Sequence, residues 1–178
     1  MGTVSPYRKQ ADIVGDRVDD LLGSWHAELP GNGADALHIV GRIQFLGNQY
    51  ENVANQSLKP FGIKFTDFDV LGTLRRIGAP YKLSPTQLCE AVLITSGAMT
   101  AALDRLERAG FIRRLPDPVD RRVKIAALTQ KGVMIVEEAA KARFAAAQET
   151  LRQLDKNEQA ELTRLLRKLV VAADGARE

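Results

Sequence analysis

Seven basic side chains within twenty residues are the feature of this sequence that most directly suggests chemistry. They are accompanied by only three acidic residues, so the stretch from 105 to 124 has a net charge of +4, whereas the whole 178-residue chain carries +3. Lysine and arginine neutralise phosphate groups, so this local excess favours a nucleic acid as partner. A solvated basic hairpin is the alternative. The basic residues are Arg105, Arg108, Arg113, Arg114, Arg121, Arg122 and Lys124.

Two consecutive helices must position the first of these arginines. Ser84 is a good helix cap, Pro85 suits the first helical position, and Gln87 completes a capping box. The helical spacing of apolar residues is then interrupted over 94–97, a segment with one glycine and two capping hydroxyls. The spacing resumes and ends at Gly110, which is typical of the residue that follows a helix. The pattern predicts a helix, a tight turn and a second helix.

A β-hairpin with an arginine-rich tip should follow these helices. A first strand is expected to begin at Phe111, and 116–118 (Pro-Asp-Pro) has strong turn chemistry. The returning strand is expected over 123–128.

This region resembles the winged helix-turn-helix of the MarR family of transcriptional regulators. The motif Asp120-Arg121-Arg122, ahead of Leu128-Thr129, is similar to that family's wing signature. The longer run LSPTQLCEAVLITSGAMTAALDRLERAGFIRRLPDPVDRR resembles the urate-responsive branch that includes PecS and HucR. The resemblance implies a mainly α fold with a small β-hairpin wing, in which a winged helix-turn-helix is flanked by terminal dimerisation helices.

Helical spacing also predicts helices on both sides of this region. They are expected from Ala11 to Leu29, from Asp35 to about Lys59, after a cap at Thr66, from about Gln130 to Leu154, and after a cap at Asp155. An N-terminal helix that carries a tryptophan resembles the extra helix of the urate-responsive branch. We expect a disordered N-terminus over 1–10, N-terminal helices over 11–62, a DNA-binding lobe over 63–128 and C-terminal dimerisation helices over 129–178.

The terminal helices carry more apolar surface than a lone winged domain can cover. The last helix alone has a stripe of Leu162, Leu165, Leu166 and Leu169. An amphipathic helix must bury its stripe, and a second copy of the chain is the expected partner; an intramolecular bundle is the alternative. The resemblance implies homodimers joined through these helices, and a two-fold protein matches a palindromic operator in double-stranded DNA.

The second helix of the pair, Ser96 to Ala109, is expected to lie in the major groove. Ser96 could instead be only the helix cap, Met99 could belong to the core, and Arg105 could touch only the DNA backbone. The candidate contacts on this helix are Ser96, Met99, Thr100 and Arg105.

The hairpin tip supplies Arg121 and Arg122. An arginine there can enter the narrow, negative minor groove. The family pattern implies that Arg122 is the inserted residue and that Asp120 positions it. A generic phosphate contact is the alternative.

The urate-responsive branch binds its effector between the N-terminal helices and the DNA-binding lobe, and the resemblance places Trp25, Asp69 and Arg114 there. Trp25 could equally be core, Asp69 a capping-box acid after Thr66, and Arg114 a phosphate contact. Asp69 is expected to hold Arg114 when the site is empty. Where the branch often has Asn-Arg, this chain has Ala101-Ala102 and lacks that arginine. We therefore expect phenolic or hydroxycinnamic acids, free or as CoA thioesters, to be candidate effectors equally with urate and purines.

No catalytic, metal or cofactor motif is found, and the chain is not expected to be an enzyme. Its one cysteine, Cys89, is expected to be a small buried apolar residue rather than a redox switch. A single cysteine, no signal peptide and no membrane-length apolar run favour the cytoplasm. The expected function is a ligand-responsive repressor; a constitutive architectural DNA-binding protein is the alternative from a different class.

Overall fold

The computed structural model describes residues 15–29, 31, 34–92, 94–117 and 124–175. Within them the fold is mainly helical with one small antiparallel sheet, so the expected fold class is confirmed. No helix in these ranges is both long enough and apolar enough to cross a bilayer. The helices are α1 (Arg17–Glu28), α2 (Leu37–Leu58), α3 (Phe65–Arg76), α4 (Pro85–Val92), α5 (Ser96–Arg108), α6 (Gln130–Thr150) and α7 (Lys156–Gly175), and the strands are β1 (Lys82–Leu83), β2 (Ile112–Pro116) and β3 (Lys124–Leu128).

The chain forms two compact units, residues 1–49 and 50–178. In the first unit, Asp16 caps α1 and accepts a hydrogen bond from the backbone N–H of Val18 at 2.8 Å. Arg42 of α2 reaches both Asp16, at 2.9 Å, and Asp19, at 2.7 Å. These two ion pairs fasten the start of α1 to α2. The predicted disordered N-terminus, 1–10, lies outside the described residues.

The second unit contains the larger hydrophobic core. Helices α3, α4, α5 and α6 each contribute buried apolar residues to it, and that burial stabilises the unit. Its largest fully buried side chains are Leu58, Val70, Leu71, Leu74, Leu88, Met99, Leu106 and Ile112.

The capping signals around the helix-turn-helix are largely confirmed. The Ser84 N–H donates to Gln87 Oε1 at 2.9 Å, and the Gln87 N–H donates to Ser84 Oγ at 3.3 Å. Gly110 follows α5 with a φ of +74° and allows the Phe111 N–H to reach the Leu106 carbonyl at 2.9 Å. This left-handed conformation is one that glycine adopts without strain.

Helix α5 begins at Ser96 as predicted, but the residues that cap α5 and α3 differ from those that the sequence offered. Thr95, and not Ser96, caps α5, because Thr95 Oγ1 accepts from the Ala98 N–H at 3.3 Å. Likewise α3 begins at Phe65 rather than after a Thr66 cap, and Asp67 accepts from the Lys64 N–H at 3.1 Å.

The sheet has the order β1-β3-β2. Strands β2 and β3 form the expected antiparallel hairpin, in which Ile112 pairs with Leu128 and Pro116 pairs with Lys124. The two-residue β1 pairs with Ala126 and Ala127 of β3 and was not predicted. The tip over 118–123, with Asp120, Arg121 and Arg122, lies outside the described residues.

The two C-terminal helices begin as predicted. Thr129 caps α6 and accepts from the Gly132 N–H at 3.0 Å, although α6 ends at Thr150 rather than Leu154. Asp155 and Glu158 form the expected capping box of α7, with hydrogen bonds of 2.8 and 2.9 Å. No residue of α7 is buried, and its leucine stripe is exposed.

Candidate nucleic-acid interface

The first turns of α5 present a small polar face to solvent. Ser96 and Thr100 are exposed, and the Thr100 hydroxyl donates to the Ser96 carbonyl at 3.0 Å. Met99 lies on the other side of the helix, 1% exposed, among the core residues. Its side chain is therefore not available to DNA, and core packing, the alternative that the sequence left open, replaces its predicted role. Ser96 and Thr100 remain candidate base contacts.

Arg105 is turned inward rather than toward the exposed face of α5. Its Nη2 lies 2.6 Å from Oδ1 of Asp67 in the first turn of α3, and its Nε lies 3.2 Å from the same oxygen. Asp67 is 3% exposed. Arg105 therefore forms an ion pair with a residue that the sequence alone did not single out, and its contact with DNA stays a prediction.

Arg114 ties the first wing strand to α5. Its guanidinium donates to the Asp104 carboxylate and lies 3.5 Å from Glu107 Oε2. The Arg114 backbone N–H donates to Glu107 Oε1 at 3.1 Å. The expectation that Asp69 holds Arg114 is therefore wrong, because Asp104 and Glu107 of α5 do so.

Asp69 lies in the middle of α3 and is half-buried. Burial raises the pKa of its carboxyl, and the positive charges of Arg143 and Arg76 oppose this shift. The capping acid of α3 is Asp67, so the capping role that the sequence left open for Asp69 is excluded. A desolvated carboxylate beside two guanidinium groups is the kind of environment found at functional sites as well as in structural networks.

Trp25 belongs to the other unit and lies in the last part of α1. Trp25 is 47% exposed in the single chain, so it is not a fully buried core residue. The half-exposed face of an indole is suited to contact with another aromatic ring.

The C-terminal end of α5 is fastened to the start of α6. Lys131 Nζ donates to the Ala109 carbonyl at 2.9 Å and lies over the Phe111 ring. Thr129 Oγ1 donates to the Gly110 carbonyl at 2.8 Å. A Cβ on Gly132 would lie only 2.0 Å from the Phe111 carbonyl oxygen, so this contact needs glycine. A cation at this end of α5 also complements the helix dipole.

The other predictions concern the cysteine, a metal site and the tip of the wing. Cys89 in α4 is a free thiol of intermediate burial. In the part of the chain that the structure describes, no group of three or more His, Cys, Asp or Glu side chains is arranged to hold a metal. The wing residues Asp120, Arg121 and Arg122 lie in the range that is not described, so their DNA-binding roles stay predictions.

Similarity to characterised proteins agrees with this geometry. A family model described as the MarR family matches residues 61–123. The HTH-type transcriptional regulator PecS of Dickeya dadantii (strain 3937) is 30% identical over 149 residues, which cover 84% of this chain and 90% of PecS. The multiple antibiotic resistance protein MarR of Salmonella typhimurium is 34% identical over 133 residues, covering 74% of this chain and 90% of that protein.

A solved structure shares both the fold and part of the sequence. The crystal structure of a cysteine-to-serine mutant of MarR from E. coli, complexed with operator DNA, superimposes with a TM-score of 0.68 at 29% identity. The match covers 78% of this chain and 99% of that one. These relatives are transcription regulators and not enzymes. With its winged-helix lobe and a relative 30% identical over most of its length, the chain belongs to the MarR family of DNA-binding transcription regulators.

Proposed function

We propose that this protein is a repressor that binds a palindromic operator as a homodimer and releases it when a small aromatic anion binds. The observation that carries the DNA-binding part is the exposed polar first turn of α5, with Ser96 and Thr100, in a lobe that holds the chain's excess positive charge. In this proposal α5 enters the major groove. A helix that presents polar side chains at its N-terminal end is suited to hydrogen bonding with base edges.

The wing supplies the second contact with DNA. Arg121 and Arg122 are proposed to reach the minor groove, with Arg122 inserted and Asp120 positioning it. Arg114 lies at the base of this wing and is bonded to Asp104 and Glu107 of α5. A change at Arg114 would therefore alter both DNA-contacting elements together.

The homodimer is supported by the exposed leucine stripe of α7. Leu162, Leu165, Leu166 and Leu169 are 38–51% exposed within the single chain. A contiguous apolar stripe of this kind marks an interaction surface, and an identical helix from a second copy would cover it. Two copies related by a two-fold axis would then place their α5 helices in half-sites about one DNA turn apart.

The effector is proposed to act through Trp25, Asp69 and Arg114. Arg114 offers a planar fork that suits a carboxylate or an ionised ring oxygen. An anion bound to the Arg114 guanidinium would displace the carboxylates of Asp104 and Glu107 from it. The wing would then be held less firmly to α5. Ala101-Ala102 supplies no further arginine for an anion. Phenolic or hydroxycinnamic acids and their CoA thioesters are therefore candidate effectors equally with urate and purines. Similarity to PecS supports the urate-responsive branch, with α1 as its additional N-terminal helix.

The test is operator release by a panel of these compounds. The DNA is a duplex that the wild-type protein selects from a random-sequence pool, and release is measured for wild type, Trp25→Phe and Arg114→Ala. Each variant's release is scaled to its own affinity without ligand, because Arg114 also holds the wing. Arg113→Ala is the matched control, since Arg113 is the adjacent exposed arginine of β2 and its side chain points to the opposite face of the sheet.

The proposal predicts that at least one compound releases wild type and Arg113→Ala at a concentration that leaves the two pocket variants bound. Release of all four proteins at the same concentration would place the effector elsewhere. Tight operator binding that no compound in the panel reverses would favour the constitutive architectural alternative.

A further inference from the structure

A partly buried ion pair joins the last turn of α5 to the first turn of α3. Asp67 lies in the first turn of α3 and is 3% exposed, whereas the side chain of Arg105 is one-third exposed. Nη2 and Nε of Arg105 lie 2.6 and 3.2 Å from Oδ1 of Asp67, and both distances are those of hydrogen bonds. The pair is separated by 38 residues, so it is a tertiary contact and not a feature of either helix alone.

The Asp67 carboxylate has a second role in the same place. Its Oδ2 accepts the N–H of Lys64, the residue that caps α3, at 3.1 Å. The carboxylate is therefore held by the backbone of α3 on one side and by the guanidinium of α5 on the other. Charge-assisted, bidentate hydrogen bonds of this kind fix geometry as well as contributing energy.

Polar contacts also hold other sides of α5, since Arg114 of β2 bonds Asp104 and Glu107, and Lys131 bonds the Ala109 carbonyl. Among the described residues, however, the Asp67–Arg105 pair is the hydrogen-bonded link between α5 and α3. Met99, Ala102, Leu103 and Leu106 are buried apolar residues of α5, and apolar burial is non-directional. On the side that faces α3, a helix held only by apolar contacts can rotate slightly about its axis at low cost. The Asp67–Arg105 pair opposes that rotation, and Thr100 lies only five residues, about one and a half helical turns, before Arg105.

We propose that Asp67 is a positioning residue for operator recognition: through Arg105 it sets the rotation of α5 so that Ser96 and Thr100 face the bases. Arg105 acts in this pair and does not contact phosphate. If it turned to the DNA, it would leave a buried carboxylate without its partner, which is strongly unfavourable. This inference rests on the proposed role of α5 as the helix that reads the operator.

The test compares affinity for the selected operator with affinity for a scrambled duplex of the same length and composition. The variants are Asp67→Asn, Arg105→Gln, the double variant and Arg105→Lys, which keeps the charge but loses the fork. Arg108→Gln is the matched control, because Arg108 is an exposed arginine of the same helix whose Nε bonds only within that helix, to the Asp104 carbonyl. Circular dichroism and thermal unfolding confirm that each protein is folded.

The positioning role predicts that Asp67→Asn and Arg105→Gln each weaken operator binding by about three- to thirty-fold, the range of coupling typical for contacting residues. Scrambled-duplex affinity and the salt dependence should stay close to wild type. The double variant should lose no more than the more severe single variant, and Arg105→Lys should recover only part of the loss. If Asp67→Asn fails to fold, Arg105→Gln and Arg105→Lys, which alter a partly exposed side chain, carry the comparison.

A phosphate contact would give a different pattern. Arg105→Gln would then weaken operator and scrambled binding equally and reduce the salt slope by about one, while Asp67→Asn would leave operator binding unchanged or strengthen it. That result would overturn the positioning role. Failure of the wild-type protein to prefer any selected duplex over its scrambled form would instead overturn the proposed function itself.

Discussion

Arg122 is the single side chain whose loss should most weaken the contact with DNA. We propose, by resemblance to the family's wing, that it enters the minor groove, where the negative potential attracts arginine. We predict that Arg122→Ala weakens operator binding by about 1–3 kcal/mol and reduces the salt slope by about one. Titrations at several salt concentrations measure both quantities. Arg164→Ala, an exposed arginine in α7 paired only with Glu161, is the control, and an Arg122 variant that behaves like it would remove the wing from the mechanism.

Asp69 should make stability depend on pH in a defined direction. Burial raises the pKa of its carboxyl in the folded protein, against the opposing charges of Arg143 and Arg76. A raised pKa means that the folded state favours the protonated form, so the associated stability is present below the unfolded-state pKa of about 3.9 and is lost as pH rises through the folded-state pKa. Asp69→Asn, which cannot ionise, should therefore be more stable than wild type at neutral pH.

The measurement is thermal unfolding of both proteins from acidic to neutral pH. The advantage of Asp69→Asn should shrink as the pH falls below the ordinary aspartate value, where the wild-type carboxyl is protonated in both states. A variant that is less stable than wild type at neutral pH would show that the charges of Arg143 and Arg76 outweigh the cost of burial.

The packing where the end of α5 meets the start of α6 leaves no room for a side chain at Gly132. A Cβ there would lie 2.0 Å from the Phe111 carbonyl oxygen, a backbone atom that cannot move alone. We predict that Gly132→Ala lowers the free energy of unfolding by about 3 kcal/mol, since overpacking forces the backbone to shift. Gly72→Ala in α3, with nothing within 4 Å of its Cβ, should instead raise it by up to about 1 kcal/mol. Denaturant titrations compare the two, and equal effects would contradict the packing shown here.

The elements that the sequence predicts well are those with local causes. Ser84, Gln87, Gly110 and Thr129 act on backbone groups within a few residues, so their capping roles can be derived from spacing alone. At the start of α5 two neighbouring hydroxyls could act as the cap, and Thr95 rather than Ser96 does so. Boundaries of this kind are less certain than the existence of the helix.

Features that depend on contacts distant in sequence could not be predicted in this way. Strand β1 is only two residues long and forms because β3 lies beside it. Nothing in the sequence around Asp67 predicts its ion pair with Arg105. The burial of Met99 likewise depends on how α5 packs against the core. The family resemblance supplied the fold, but residue roles at the DNA interface required the tertiary structure.

At the scale of the molecule, α7 should decide assembly. Its leucine stripe is exposed in the single chain, and burying each leucine contributes about 1.5–3 kcal/mol. We predict that deleting residues 155–178 yields a monomer or an aggregate in sedimentation, with operator affinity lost because one half-site supplies far fewer phosphate contacts. Leu166→Glu should weaken the dimer, and Arg167→Glu, on the opposite face of the helix, should not. A truncated chain that remains a folded, DNA-binding dimer would place the interface elsewhere.

Operator binding by a homodimer requires a two-fold protein on a two-fold DNA site. The most direct measurement is a hydroxyl-radical footprint of the wild-type protein on the DNA upstream of its own gene. We predict two protected segments related by two-fold symmetry, with centres about one helical turn, 10–10.5 base pairs, apart. Protection that lacks this symmetry, or that covers all sequences equally, would contradict the central claim that the chain reads a palindromic operator as a dimer.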